Sequence, residues 1–405
     1  MSRKILRDLL SIEDARTLFK GVKVRTHIVS IPIERSTGWV LAEDVISTID
    51  VPGFDKSLRD GYAVRSEDVA FAGDIPVALK MVGFSPVGEP PQYQVGKMEA
   101  VEVATGGPIP NGADAVVMVE DTELNGDTVL VKTSVKAGKF LILAGSDISK
   151  NACLLSKGLT IGAREVGVLA AIGMREVAVN TMKVGIISTG NELAMPGTDL
   201  QPGMVYDTNS YSLYAAATKL GVDTIAYGLI KDDQDTVSAV VKKAIGECDI
   251  VLTSGSTSAG PDDFMYDIIE EQGNVLVHGL NFKPGKPVVL GMINEIPIVA
   301  LPGHPTSSLT VFYEFILPLI RRNLDAPVAK KQTLTAVLGE DVISGTRHEM
   351  LAVRLENGVV FSTSRSSAAI TTLAYADGFI EIPADVPMVK KGMEVVVTFF
   401  DDAFK

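Results

Sequence analysis

Two cysteines in 405 residues, Cys153 and Cys248, are too few for a disulfide framework or a thiolate zinc site. The four histidines (His27, His278, His304 and His348) are scattered and form no HExxH pair, which removes the common zinc-hydrolase pattern. No apolar run approaches the roughly 18 residues that a membrane helix needs. The opening stretch MSRKILRDLLSIEDARTLFK is too broken by charge to read as a signal peptide, so a cytoplasmic protein with no membrane partner is expected. Basic residues are in the minority as well: 37 Lys and Arg against 50 Asp and Glu leave a net charge of −13. No Lys/Arg cluster offsets it, which argues against a nucleic-acid partner. A small anionic substrate would need local positive charge against that global field.

What the chain does have is apolar content. Hydrophobic residues make up 46% of it, enough to bury sizeable cores, and the length suggests about two to four domains.

One stretch organises the rest. Residues 249–263 read DIVLTSGSTSAGPDD: an apolar strand empties into a Gly/Ser loop, and Asp262 and Asp263 then open an amphipathic helix. Ser254, Gly255, Ser256, Ser258 and Gly260 are small enough for backbone N–H groups to approach an anion, and a helix start adds favourable partial charge. An ordinary strand-to-helix connection has the same composition, so the loop alone decides nothing.

Residues 11–20 read as a helix with Ser11 and Asp14 in capping-box spacing, and His27 to Ile33 reads as a strand. Gly38 to Val45 fits either a helix or a strand. From Val51 to Arg65 the chain is turn-rich and charged. Asp60-Gly61 is a turn pair on the plain reading, or part of a binding loop with Asp55 and Arg59. Residues 75–144 alternate as short strands between Gly/Pro turns, as in a small barrel or sandwich. Residues 145–175 return to helical spacing, with a helix from Ala163 to Ile172.

From 183 to 324, strands and helices alternate regularly, which predicts a doubly wound, mostly parallel sheet. Asn294-Glu295 is expected to turn a hairpin, and Pro302 to Thr306 to cap a long helix, Ser307 to Asn323. Ligands in such sheets bind at the carboxyl ends of the strands. Glu192, Asp232, Ser254 to Asp263, Lys283 and Lys286, and Gly303 to Thr306 all follow strands, and so gather on one rim. Clustered carboxylates need lysines or a hard cation such as Mg²⁺ to neutralise them. Acids, lysines and N–H-rich loops together suit a phosphate ester with magnesium. In the plainer alternative, Asp232 and Asp262 are N-caps and the lysines are solvated. Residues 330–405 revert to short strands, with a hairpin at Asn357-Gly358 and a linker near Pro327.

The ordered segments DKSLRDGYAVR, GGPIPNGADAVV, AGSDI, STGNEL, YDTNS, KDD, SGSTSAGPDDF, KPGKP, LPGHPTS and SSAAITTLAYADGF resemble the molybdopterin molybdenumtransferase family (MoeA and the corresponding domain of gephyrin) over nearly the whole chain. The resemblance implies a multidomain α/β and β protomer. Its parts would be a discontinuous helical segment (1–26, 44–53 and 145–177), an inserted β domain (27–43 and 54–144), an α/β molybdopterin-binding domain (178–326) and a C-terminal β-barrel (327–405). It further implies a homodimer whose clefts join the α/β domain of one chain to the β domains of the other.

The implied reaction is Mg²⁺-dependent insertion of molybdate into adenylylated molybdopterin with release of AMP. Asp60, Asp147, Glu192, Asp232 and Asp263 would be the catalytic acids, with Glu192, Asp232 and Asp263 at the metal. Lys283 and Lys286 would hold the pterin phosphate or the oxyanion, and Pro302, Gly303, His304 and Pro305 would shape the pocket.

This chain departs from the family where Gly-Gly is common (Gly255-Ser256), at Asn191 for Asp, at His304 for Asn, and at Ser366-Ser367 for Gly-Ser. Ser256 needs an unstrained φ or a loop set farther out. His304 would add positive charge beside an oxyanion, or hydrogen-bond a helix start. Tungstate is an equally fitting oxyanion. Other functions compatible with the same residues are a molybdopterin adenylyltransferase-like activity and a non-catalytic pterin carrier or scaffold.

Overall fold

Strands that are apolar on consecutive residues need cover on both faces, and the central strands of the segment 183–301 are of this kind. The computed structural model describes residues 9–256, 264–328, 331–363, 366 and 368–400. The chain forms two units. Met1–Glu43, Lys157–Val166 and Glu176–Lys405 make the first, and Asp44–Ser156 with Gly167–Arg175 the second.

The first unit is centred on a six-stranded sheet in the order Asp223–Ile230, Lys183–Thr189, Ile250–Ser254, Ile296–Leu301, Val289–Ile293, Asn274–His278. The first four strands are parallel. Val289–Ile293 runs against its neighbours on both sides, so Asn274–His278 points the same way as the first four. Alternate residues of one strand enter different cores. Ile250 and Leu252 pack with Phe19, Leu213 and Phe312, whereas Val251 packs with Val237, Val241 and Ile269. All three strand residues are fully buried, each contributing roughly 1.5–3 kcal/mol. Two-sided burial is why this strand reads as a continuous apolar run, without alternation.

The expected local signals are in place. Ser11 caps the helix Ile12–Gly21: its hydroxyl accepts from the Asp14 amide at 3.1 Å and donates to the Asp14 carboxylate at 2.7 Å. Asn294 and Glu295 turn the hairpin with φ of 49° and 65°, and Asn357-Gly358 does the same in the barrel at 49° and 80°.

The long helix starts two residues before the expected Ser307, with Pro305 in its first turn. It holds a π-turn, Phe312–Ile316, before continuing as Leu317–Asn323. Pro318 has no N–H for the Glu314 carbonyl and its ring would crowd that group, which accounts for the widened turn.

Also in the first unit, the strands Thr333–Leu338, His348–Glu356, Val359–Ser362, Gly378–Ile382 and Glu394–Phe399 close into a five-stranded barrel around Leu338, Val353, Val360 and Val397. Phe282–Lys283 pairs with its edge at His348 and Glu349.

Two expectations are corrected. Residues 27–43 do not join the inserted β domain. His27–Pro32 pairs with Glu176–Thr181, as does Val40–Leu41, and this three-stranded sheet belongs to the first unit. A strand carries no local record of a partner so far along the chain. The helical spacing of 145–175 yields the helix Ala163–Ala171, preceded by turns and the short strand Cys153–Leu155.

The second unit holds a six-stranded mixed sheet in the order Ala115–Met118, Gly61–Val64, Glu99–Val103, Val77–Ser85, Thr128–Val131, Thr122–Asn125. Tyr62, Val64 and Val117 face one core, and Ala63, Val101 and Val116 the other.

Candidate active site

The carboxyl ends of the parallel strands open into a cleft of about 1350 Å³ within the first unit. It is lined from the α/β side by Glu192, Asp232, Ser254 to Ser256 and Pro302 to Pro305, among others, and from the barrel by Arg347, Glu349 and Ser366. Lys283 and Lys286 line it too. Eleven expected site residues therefore meet in one place: Glu192, Asp232, Ser254, Gly255, Ser256, Lys283, Lys286, Pro302, Gly303, His304 and Pro305. Ser258, Gly260 and Asp263 lie outside the described residues, as does Asp262. The resemblance placed the β domains of a partner chain opposite the α/β domain. In one chain, the barrel's own residues already form part of this cleft.

Its floor is made by two loops in close approach. Gly255 has φ of 103°, and a Cβ there would sit 2.3 Å from the Thr189 carbonyl oxygen, so only glycine fits. Asn209, buried at the start of the helix Asn209–Thr218, joins the loops: its Nδ2 donates to Ser254 Oγ and to the Gly303 carbonyl, both at 2.7 Å. Among the described residues its Oδ1 has no hydrogen-bond partner.

The charges divide into engaged and free. Lys283 meets the buried Glu349 at 2.8 Å, and Ser344 Oγ donates to the same carboxylate at 2.9 Å. Asp232 accepts from Ser256 Oγ at 2.9 Å and from the Asn191 amide at 3.2 Å. Asp233, not Asp232, caps the helix Gln234–Glu247 by accepting from the Thr236 amide. The plain reading of Asp232 as an N-cap is thereby set aside. Glu192, Lys286 and Arg347 make no hydrogen bond or ion pair through their charged ends among the described residues.

His304 precedes the first helical residue and is exposed, but its side chain makes no capping bond. Ser256 does not have the unstrained φ expected for it: its φ is 52°, in the left-handed region, and its side chain bonds Asp232.

Asp60 and Asp147 do not line this cleft; both are exposed in the second unit. The Thr105 amide donates to Asp60 Oδ1 at 2.8 Å and holds that carboxyl below its ordinary range. The Asp147 amide donates to the Val51 carbonyl at 3.1 Å.

Among the described residues, no three His, Cys, Asp or Glu side chains converge as a metal cage. Glu192 and Asp232 do offer hard oxygen donors to the cleft. That donor set fits a cation that takes one or two carboxylates and completes its shell with substrate oxygens and water, the usual habit of Mg²⁺.

Sequence reasoning missed Asn209 as the link between the loops, although it had singled out the YDTNS segment. It also missed Arg347 and Glu349, which sit in a loop and a strand with no recognisable spacing.

Family models match in chain order. They are the MoeA N-terminal region (domain I and II) over residues 10–173, a probable molybdopterin binding domain over 185–322, and the MoeA C-terminal region (domain IV) over 335–400. Molybdopterin molybdenumtransferase 2 of Mycobacterium tuberculosis is 34% identical, over 91% of this chain and 94% of its own. The molybdopterin molybdenumtransferase of Haemophilus influenzae is 34% identical over 78% of each chain. A solved molybdopterin biosynthesis MoeA protein from Pyrococcus horikoshii has a TM-score of 0.85 and 38% identity, covering 97% of this chain and 100% of that one. Fold and cleft together define a multidomain enzyme with a molybdopterin-binding α/β domain. The chain belongs to the molybdopterin molybdenumtransferase (MoeA) family, and its work is molybdenum cofactor biosynthesis.

Proposed function

We propose that this enzyme inserts molybdate into adenylylated molybdopterin, releases AMP, and requires Mg²⁺. The observation that carries the reading is the presence, in one cleft, of the Glu192 and Asp232 carboxylates together with the Lys286 and Arg347 cations, neither of which has an ion-pair partner among the described residues. In a chain of net charge −13, cations without partners among the described residues are available to an anionic ligand.

The chemistry exchanges two molybdate oxygens for the two dithiolene sulfurs. The cleaved phosphoanhydride takes up one of these oxygens, leaving phosphate on the pterin and AMP as the departing group, and the other leaves as water with the two thiol protons. Lys286 and Arg347 hold the anionic groups, and the Gly255 and Gly303 loops let the backbone approach them. Lys283 is the weaker candidate for that task, because Glu349 already neutralises it. Glu192 and Asp232 would hold the cation, with Asp263 as the third acid of the proposed set. Bound Mg²⁺ would supply neutralisation of the pyrophosphate charge. The homodimer with shared clefts, and a cytoplasmic setting, belong to the same reading; among the described residues no helix is long and apolar enough to cross a membrane.

The decisive assay incubates purified protein with adenylylated molybdopterin, Mg²⁺ and molybdate and follows AMP and cofactor together. Both should form in step, and chelation should stop both. Substrate binding without AMP release would instead support the carrier. A parallel arm with tungstate ranks the two oxyanions, and light scattering tests the dimer.

A further inference from the structure

Serine at position 256 adopts a φ of 52°, a conformation that glycine reaches without steric cost. What the side chain gains there is specific. Its Oγ lies 2.9 Å from Asp232 Oδ1 and 3.0 Å from Thr189 Oγ1. An ionised carboxylate only accepts, so the Ser256 proton must go to Asp232. The single Thr189 hydroxyl proton has two acceptors in reach, Ser256 Oγ at 3.0 Å and the Ser254 carbonyl at 3.4 Å. Given to the nearer, it completes a directed chain, Thr189 to Ser256 to Asp232, in which each bond polarises the next. Thr189 is buried at the end of its strand. On the other oxygen, Asp232 Oδ2 accepts from the Asn191 amide at 3.2 Å, and Asn191 Oδ1 accepts from the Asp232 amide at the same distance. Asp232 therefore ties together the ends of the strands Lys183–Thr189, Asp223–Ile230 and Ile250–Ser254.

We propose that Ser256 is a positioning residue for molybdenum insertion: its hydroxyl, backed by Thr189, fixes the Asp232 carboxylate in one orientation and leaves its remaining lone pairs to the ligand of the cleft. The inference rests on the assignment of Asp232 to the reacting end of the site. It does not require Ser256 to touch substrate. The cost of losing it falls on preorganisation, so it appears in turnover more than in substrate binding.

The test compares Ser256→Gly with Ser256→Ala, each in the wild-type and Asp232→Asn backgrounds. Glycine removes the hydroxyl and relaxes the backbone, whereas alanine removes the hydroxyl and keeps the left-handed strain. Both should lower kcat roughly tenfold with KM for adenylylated molybdopterin within about twofold. Ser256→Gly should unfold no earlier than wild type. In the Asp232→Asn background the same change should cost nothing further. An unchanged kcat overturns the proposal, and so does a loss that persists in full without the Asp232 carboxylate.

A crystal structure of the Ser256→Gly protein gives a readout independent of turnover. Asp232 is expected in more than one rotamer, and a single unchanged rotamer overturns the positioning role. If wild-type protein releases no AMP from adenylylated molybdopterin, the substrate assignment falls, while the rotamer comparison still decides the role of Ser256.

Discussion

Two groups of charged side chains in the first unit use their charge differently. Arg16 meets Glu314 at 2.5 Å and Glu381 at 3.1 Å, His348 lies 3.2 Å from Glu381, and Lys331 lies 3.9 Å from it. There every acid is engaged, and the bonds join the N-terminal helix, the π-turn and the barrel. In the cleft, Glu192, Lys286 and Arg347 have no such partners among the described residues. One group stabilises the fold; the other is left available to a ligand. On the proposed reading, stability and activity are separable here, since they would rest on different carboxylates.

The sharpest way to break that claim is Glu192→Gln. Cofactor formation should fall by about 10²–10³, while the melting temperature stays within roughly 1 °C of wild type because no fold bond is lost. A comparable drop in melting temperature would place Glu192 with the structural group.

Glu314→Ala should do the reverse. Its carboxylate is nearly buried against Arg16, and removal should cost about 2–3 kcal/mol, or roughly 4–10 °C in melting. Activity per folded molecule should stay within about twofold of wild type.

Lys286→Ala and Arg347→Ala should each raise the apparent KM for the anionic substrates several-fold, and combined they should exceed either alone. Lys283→Ala, already neutralised by Glu349, should change KM least and stability most of the three. A larger KM effect at Lys283 would show that its ion pair opens for the ligand.

The smallest effect is a pH dependence. His348, followed by Arg16, holds the Glu381 carboxyl at about 2 against an ordinary 4.5. Its folded value is depressed, so its contribution is fully present above about 4.5 and is lost as pH falls towards 2. Thermal melting of wild type and Glu381→Gln should therefore differ most above pH 5 and converge towards pH 2. A constant gap would mean that the variant loses packing and not charge.

Much of this architecture was legible because its signals are local. The Ser11–Asp14 cap, the Asn294-Glu295 and Asn357-Gly358 turns, and the regular return of apolar-rich strands each follow from a few neighbouring residues. The rim could be read as well, because a doubly wound sheet brings strand ends together whatever their separation in sequence. Pairing over long range could not be read. Nothing in His27–Pro32 names Glu176–Thr181 as its partner, and nothing in Phe282–Lys283 announces that these two residues join the barrel's edge. Arg347 and Glu349 escaped for the same reason, since they matter only once the barrel is placed against the α/β domain. Ser256 was noticed as an anomaly, but its partners Asp232 and Thr189 come from other strands, and only the folded loop unites them.

The two lysines of Lys283-Pro284-Gly285-Lys286 are anchored differently. Lys283 is stitched to the barrel by backbone pairing and by Glu349. The Lys286 carbonyl is held instead by the Leu280 and Val288 amides, at 2.9 and 3.0 Å. Gly285 stands between them with φ of 131°. The two ammonium groups therefore answer to different supports, Lys283 to the barrel and Lys286 to the loop beside Leu280 and Val288, so neighbouring positions in sequence hold their charges by separate scaffolds.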